Sequence, residues 1–201
     1  MQRLRFLSLF LALIIIHLST VTALAYSTNP TAGSEYRLYG GISDRKYYIS
    51  TDYRTTPYSS AFSTAINNWC SGSDASFTQT TTYWDSCIDM KTYDNGADYI
   101  NGYTIYWVGD GAGGNNNVQY TSNRSVPEDW WCSETYLSRH YTSSSQTAQA
   151  AEIMAHEIGH AFGFTENNSE PESIMCQAGY GRTATVPHGR DKSALNRLYR
   201  F

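Results

Sequence analysis

The segment His156-Glu157-Ile158-Gly159-His160 constrains the fold of this chain more than any other feature of its sequence. On an α-helix, residues i and i+4 lie one above the other, so both imidazoles can reach a single metal ion. Zn²⁺ suits neutral imidazole, and two histidines at this spacing supply half of a tetrahedral site. Glu157 lies about 100° further round the helix, where it can face a metal-bound water. The segment predicts a helix with two metal ligands, His156 and His160, and a general base, Glu157.

The residues around this segment carry the signals of a helix from about Gln146 to Phe162. The serines at positions 143–145 offer N-cap oxygens to the first turn. Gly163 is a natural stop, since glycine takes the left-handed conformation at a helix C-terminus at little cost. Apolar residues recur at helical spacing and form the predicted buried stripe: Ala151, Met154, Ile158 and Ala161.

The sequence ahead of this helix is typical of β-structure. Tyrosine and threonine suit half-buried strands, and the chain contains 17 tyrosines. A helix is predicted from Pro57 to about Cys70, and a short closing helix over 192–199. Strands followed by a helix that carries polar chemistry favour an α+β fold. The predicted strands cover residues 36–39, 46–50, 77–83, 88–91, 99–108, 118–121 and 134–139.

Residues 1–25 have the three parts of a secretory signal peptide. Arg3 and Arg5 form a positive n-region, residues 6–18 an apolar run, and Ala23-Leu24-Ala25 a cleavage site. The alternative is a membrane anchor, but a spanning helix needs about 20 apolar residues. We therefore expect a secreted, extracellular protein with no stable membrane anchor. The mature chain, residues 26–201, has the length of a single domain.

Four cysteines follow the predicted cleavage site: Cys70, Cys87, Cys132 and Cys176. An even number in an exported chain favours two disulfides, for which three connectivities exist. The local pair Cys70–Cys87 is preferred, which leaves Cys132–Cys176 as the long pair. A four-cysteine zinc site is a weaker alternative, because no two cysteines have the close spacing that such sites use.

The longer segment from His156 to Glu166 resembles the active-site motif of the metzincin zinc endopeptidases, and within them the matrixins. That motif is H-E-x-x-H-x-x-G-x-x-H or D, followed by a turn that carries methionine. Ser173-Ile174-Met175 resembles this Met-turn, and residues 191–199 resemble the closing helix of the matrixins. The resemblance is strong over residues 151–199 and weaker before them.

The resemblance implies a metzincin or zincin-like fold. Its parts are a twisted, mostly parallel mixed sheet, two long helices, and a small C-terminal subdomain with the Met-turn and the closing helix. A substrate peptide would lie in a shallow cleft, along an edge strand above the zinc. Gly163 would let the chain turn back to the metal, and Met175 would form an apolar floor below the ligands.

The chain departs from the family at the third ligand position, where Glu166 replaces histidine or aspartate. A glutamate oxygen is a legitimate zinc ligand, and two histidines with one carboxylate form a known catalytic set. Glu166 is the expected third ligand. The alternatives are His188, His140, or a site with only two protein ligands.

The glycine- and asparagine-rich segment over residues 110–115 offers oxygen atoms to Ca²⁺. A surface loop without a metal is the favoured interpretation, so no structural calcium is expected from it.

These observations predict a zinc metalloendopeptidase that hydrolyses protein or peptide substrates through metal-activated water, with Glu157 as general base. It would act as a monomer. The formal net charge of −4 argues against a nucleic-acid partner. Two alternatives remain open: a catalytically inactive, matrixin-like binding module, and a peptidase with one narrow target.

Overall fold

The computed structural model of the chain describes residues 36–94, 96, 99–109, 118–121 (backbone only), 126 and 128–200. The predicted leader (1–25) and the glycine- and asparagine-rich segment (110–115) lie outside the described residues. No helix in the described part of the chain is both long enough and apolar enough to cross a membrane.

Six strands form one mixed sheet in the order β2-β1-β3-β6-β4-β5. The first four are mutually parallel, whereas β4 runs antiparallel to both β6 and β5. This confirms an α+β fold with a mostly parallel mixed sheet. The strands are β1 (Arg45–Ile49), β2 (Phe77–Thr80), β3 (Ile88–Tyr93), β4 (Gly102–Val108), β5 (Val118–Thr121) and β6 (Cys132–Ser138).

Three α-helices accompany the sheet: α1 (Ser59–Cys70), α2 (Thr147–Phe162) and α3 (Gly189–Leu198). Both α1 and α2 lie against the sheet face that presents Ile88, Met90 and Leu137, and these side chains are fully buried. Two buried indoles fix α2 in place. Trp69 of α1 donates to the Ala155 carbonyl (2.8 Å), and Trp130 donates to the Ala161 carbonyl (3.0 Å).

Several predicted elements differ from the structure. The strand predicted over 77–83 ends at Thr80, and the strand predicted over 99–108 begins at Gly102. Residues 36–39 form no strand but a single bridge, Leu38 to Trp130, because the Leu38 amide donates to the Tyr199 hydroxyl instead of to a neighbouring strand. Helix α3 begins at Gly189, before the predicted position 192. Asp191 explains the early start, since its carboxylate accepts from the His188 amide and caps the first turn.

The predicted disulfides, Cys70–Cys87 and Cys132–Cys176, are not formed, and all four cysteines are free thiols. The Cys87 sulfur accepts from the Arg45 guanidinium (3.5 Å), whereas the Cys132 sulfur lies 4.0 Å from the Asp89 carboxylate. The pairing of Cys70 with Cys87 was predicted from their closeness in sequence, but the fold does not bring these two residues together. Between Cys70 and Cys87 the chain runs out to the edge strand β2 before it returns to the centre of the sheet.

Candidate metal centre

Helix α2 presents His156 and His160 on one face, with ring centroids 4.8 Å apart. His156 Nδ1 lies 2.8 Å from the Ile174 carbonyl oxygen, and His160 Nδ1 lies 2.7 Å from that of Phe164. Because a carbonyl oxygen only accepts hydrogen bonds, each Nδ1 carries a proton. In the neutral form of each ring, Nε2 then carries a free lone pair. This tautomer is the one that metal-binding histidines use.

Gly163 turns the chain back towards these rings. Its φ of 110° lies in the left-handed region, and the Phe164 amide donates to the Gly159 carbonyl (3.0 Å), which caps α2. A Cβ at Gly163 would also lie 3.2 Å from the Tyr36 carbonyl oxygen. Glycine therefore suits this position for its conformation and for its size, and the turn brings Glu166 to the histidines.

Glu166 completes a cluster whose ligand atoms all lie within 4.8 Å of one another. Its carboxylate oxygens lie 3.5 Å from His156 Nε2 and 3.4 Å from His160 Nε2. In a tetrahedral site with metal–ligand distances of about 2.0–2.1 Å, two ligand atoms are about 3.3–3.4 Å apart. The two distances involve different oxygens of Glu166, Oε2 for His156 and Oε1 for His160, and both are close to this value. The three side chains therefore lie close enough together to hold one metal ion.

The charges of the triad also favour a cation. Burial alone would lower the pKa of His160, but the neighbouring Glu166 and Glu157 raise it above its usual value. Burial opposes ionisation of Glu166 as well, yet its contacts with His156 and His160 lower its pKa to about 2. One oxygen of this carboxylate, Oε2, is buried and has no hydrogen-bond partner. A metal ion would satisfy this oxygen and both imidazole lone pairs together.

The other candidate ligands lie elsewhere. His188 is exposed and serves as the N-cap of α3, and His140 is exposed beside Tyr141. Of the three residues weighed as third ligand, the structure brings Glu166 to the two histidines.

Met175 is buried below the triad. A Cβ at Gly159 would collide with the Met175 sulfur and would lie 3.1 Å from the Trp69 ring. Gly159 of α2 therefore makes room for this side chain. The Met175 carbonyl accepts from the Asn167 amide (2.8 Å), which ties the methionine turn to the residue that follows Glu166.

A buried carboxylate holds the methionine turn from α3. Asp191 accepts from the Ser173 hydroxyl (2.6 Å) and from the Ile174 amide (3.2 Å). The Ile174 carbonyl accepts a hydrogen bond from His156 Nδ1. Asp191 is therefore linked to the candidate ligand His156 through a single residue, Ile174. Arg182 supports the same turn, because it donates to the Cys176 carbonyl (3.1 Å) and pairs with Glu152 of α2 (2.6 Å).

Glu157 is buried beside the triad and is not part of it. The Thr104 hydroxyl of β4 lies 2.9 Å from both the carbonyl oxygen and the Oε2 of Glu157. The carboxylate faces Gly102, where the missing Cβ leaves room for it. The side chain is thus placed next to the metal position without occupying it.

A cavity of about 310 Å³ opens over these groups. Its size falls in the lower range of small-molecule and peptide side-chain sites. Exposed Tyr99 and Tyr180 stand on its walls. The other lining residues include His156, Glu157, Glu166, Gly102, Ile153, Gln177 and Arg182.

Sequence reasoning identified His156, Glu157, His160, Glu166 and Met175 but missed three supporting residues: Thr104, Asp191 and Arg182. Each is a common residue type without a local motif, so no signal in a single sequence could have pointed to it. Comparison of the sequence with protein-family models and with curated proteins finds no match. The functional assignment therefore depends on the site itself.

Proposed function

We propose that this chain is a secreted, zinc-dependent endopeptidase of the metzincin type, similar to the matrixins. The observation that carries the proposal is the convergence of His156 Nε2, His160 Nε2 and the Glu166 carboxylate, which lie close enough together to hold one metal ion. Two imidazoles and one carboxylate form a donor set typical of catalytic zinc. Ca²⁺ and Mg²⁺ prefer oxygen ligands, so the two nitrogen donors disfavour them.

Zinc bound to this triad would polarise the scissile carbonyl and lower the pKa of the attacking water. The task of Glu157 is to accept the proton of that water and pass it to the leaving amine. Its position on the cavity wall, next to the triad, suits this role. A binding module has no need of such a base, so the placement of Glu157 favours the enzyme over the inactive alternative.

The unpaired edge at the start of β4 could bind an extended peptide. Residues Ile105–Val108 of β4 pair with β5, whereas Gly102–Thr104 have no strand on that outer edge among the described residues. Gly102 also lines the cavity over the triad. An extended substrate that hydrogen-bonds to this short edge would pass directly over Glu157, and main-chain pairing of this kind supports binding to many sequences.

The decisive experiment is hydrolysis of casein by the purified protein. We expect cleavage that stops with a zinc chelator and returns with added Zn²⁺. Glu157→Gln is the matched variant, and it should keep one zinc per chain while kcat falls by about a thousandfold or more, as expected for loss of a general base in a metal site.

The outcomes separate the alternatives. Zinc-independent cleavage, or full activity in a folded Glu157→Gln variant, would refute the mechanism. A folded, zinc-loaded wild type that cleaves neither casein nor a mixed peptide library would refute the general endopeptidase and favour the binding module.

A further inference from the structure

Thr104 is a fully buried residue of β4 whose hydroxyl contacts Glu157 at two atoms. We propose that Thr104 is a positioning residue that fixes Glu157 Oε2 and leaves Oε1 as the oxygen that exchanges the catalytic proton. This inference rests on the proposed function, because it gives the two oxygens of the general base different roles: Oε2 is held in place, and Oε1 exchanges the proton.

The contacts define which oxygen is held. Thr104 Oγ1 lies 2.9 Å from Glu157 Oε2, and a hydroxyl hydrogen bond to a carboxylate is among the stronger ones in proteins. The same hydroxyl is 2.9 Å from the Glu157 carbonyl oxygen. The single hydroxyl proton of Thr104 is shared between these two acceptors. Because both acceptors belong to Glu157, the hydroxyl fixes the direction of the Glu157 side chain relative to helix α2.

The second oxygen, Oε1, lies beside Gly102. A Cβ at Gly102 would come within 2.9 Å of Glu157 Oε1 and of Glu157 Cγ. Gly102 and Glu157 both line the cavity over the triad. The absent side chain therefore leaves space for Oε1 at the cavity wall, and Oε2 points to Thr104 instead.

The strand makes this support rigid. Thr104 is paired with Thr135 of β6, and a β-branched side chain has restricted rotation about χ1. The hydroxyl is thus carried by a strand that is paired with β6, and not by a loop. A site held on regular strands keeps its geometry more closely than one held on loops.

A purely structural role for Thr104 is the competing explanation, since any buried hydroxyl needs a partner. The pair Thr104→Val and Thr104→Ser separates the two, because valine keeps the shape without the hydroxyl and serine keeps the hydroxyl without the methyl. For Thr104→Val we expect kcat to fall about ten- to a hundredfold, the range for loss of a hydrogen bond to a charged group, with KM within about twofold. Thr104→Ser should restore kcat to within about threefold of wild type.

Two further measurements keep the test independent of folding. Zinc affinity, measured by competition with a chromophoric chelator, should be the same in wild type and both variants. In the Glu157→Gln background, adding Thr104→Val should lower kcat no further, because the group it positions is already lost. If Thr104→Val does not fold, Thr104→Ala takes its place, with kcat expressed per zinc-loaded molecule.

An active wild type with an equally active Thr104→Val variant overturns the inference and leaves the proposed function standing. The inference is also overturned if serine rescues no better than valine, or if the two substitutions act independently in the Glu157→Gln background. A wild type that cleaves nothing refutes the proposed function, and this inference with it.

Discussion

Two polar clusters lie on opposite faces of the same sheet, and they satisfy their charges in different ways. The metal-centre triad, His156, His160 and Glu166, lies on the helix-covered face. The second cluster, which we call the Glu134 cluster, consists of Glu134, Lys91, Tyr83 and Tyr136 on the other face. In both, a carboxylate is at least partly withdrawn from water.

Every acceptor of the Glu134 cluster has a donor. Oε1 of Glu134 accepts from Lys91 (2.7 Å) and from the Tyr83 hydroxyl (3.1 Å), and Oε2 accepts from the Tyr136 hydroxyl (2.6 Å). Burial would raise the pKa of Glu134, but these hydrogen bonds and the Lys91 charge lower it. The ammonium also lies 5.1 Å from the Tyr83 ring centroid, a favourable cation–π distance.

The triad has the opposite balance, because with neutral imidazoles it offers lone pairs on two nitrogens and on a carboxylate and has no hydrogen-bond donor between them. Its histidine protons are committed to backbone carbonyls, and Glu166 Oε2 has no hydrogen-bond partner. A complete set of donors indicates a structural cluster, whereas converging lone pairs indicate a cation site. Burial and charge alone would not distinguish the metal-centre triad from the Glu134 cluster.

The largest effect should come from Glu166→Gln, which removes the charge of the triad but keeps its shape. We expect zinc affinity to fall at least about 100-fold, since changes to second-sphere partners alone cost 10–100-fold. Chelator competition measures this directly. Glu172→Gln, an exposed carboxylate in the same loop, is the control and should bind zinc like wild type. Unchanged affinity in Glu166→Gln would mean that the third ligand is another residue.

A smaller effect, on stability and not on metal, should follow from Glu134→Gln. The change leaves the Lys91 charge part-buried without its partner, and we expect the free energy of unfolding to fall by about 2 kcal/mol. Denaturant unfolding measures this, and zinc affinity should not change. The control is Asp85→Asn, which breaks the exposed pair with Lys46 (3.5 Å) and should cost less than about 0.5 kcal/mol. A loss of zinc in Glu134→Gln would contradict the separation of the two clusters.

The helix and the candidate metal ligands were predictable because the sequence signals for them are local. His156, Glu157 and His160 lie within one helical turn, and Gly163 marks the end of α2, which the structure places at Phe162 as expected. Glu166 follows three residues later, on the turn that the glycine permits. The mixed α+β class was predictable for the same reason, since alternation and helical spacing are properties of short windows.

The supporting residues were not predictable because their partners are distant in sequence. Thr104 contacts a residue 53 positions away, and Asp191 reaches back 18 positions to Ser173. Tertiary packing alone brings these pairs together. The disulfide prediction failed at the same point, since pairing of Cys70 with Cys87 required a knowledge of the strand order. The Glu134 cluster was missed because Lys91 and Tyr83 lie 43 and 51 residues away from Glu134 in the sequence.

Asp89 provides a third case for the comparison. This buried carboxyl lies outside the metal-centre triad, and no lysine among the residues that the structure describes donates a hydrogen bond to it. It accepts from the Ser86 hydroxyl and lies 4.0 Å from the Cys132 sulfur. Burial raises its pKa to about 7, although Ser86 and the Lys91 charge oppose the shift and Glu134 adds to it. Below that pH the folded protein holds a proton on Asp89, whereas the unfolded chain releases it near the ordinary aspartate pKa of 3.8. Stability due to this group therefore falls as pH rises from about 4 to about 7.

The variant Asp89→Asn removes this dependence, since an amide does not ionise. Its free energy of unfolding relative to wild type should rise between pH 4 and pH 7 by about 1–3 kcal/mol and level off above. Denaturant unfolding at pH 5, 6, 7 and 8 in the presence of a zinc chelator measures the slope, with Asp85→Asn as the control for a change of surface charge. A difference that stays constant with pH would show that Asp89 is ionised throughout and satisfied like Glu134. A rising difference would mean that the three carboxyls avoid buried charge in three ways: Asp89 by a proton, Glu134 by a lysine, and Glu166 by the cation that its two histidines help to bind.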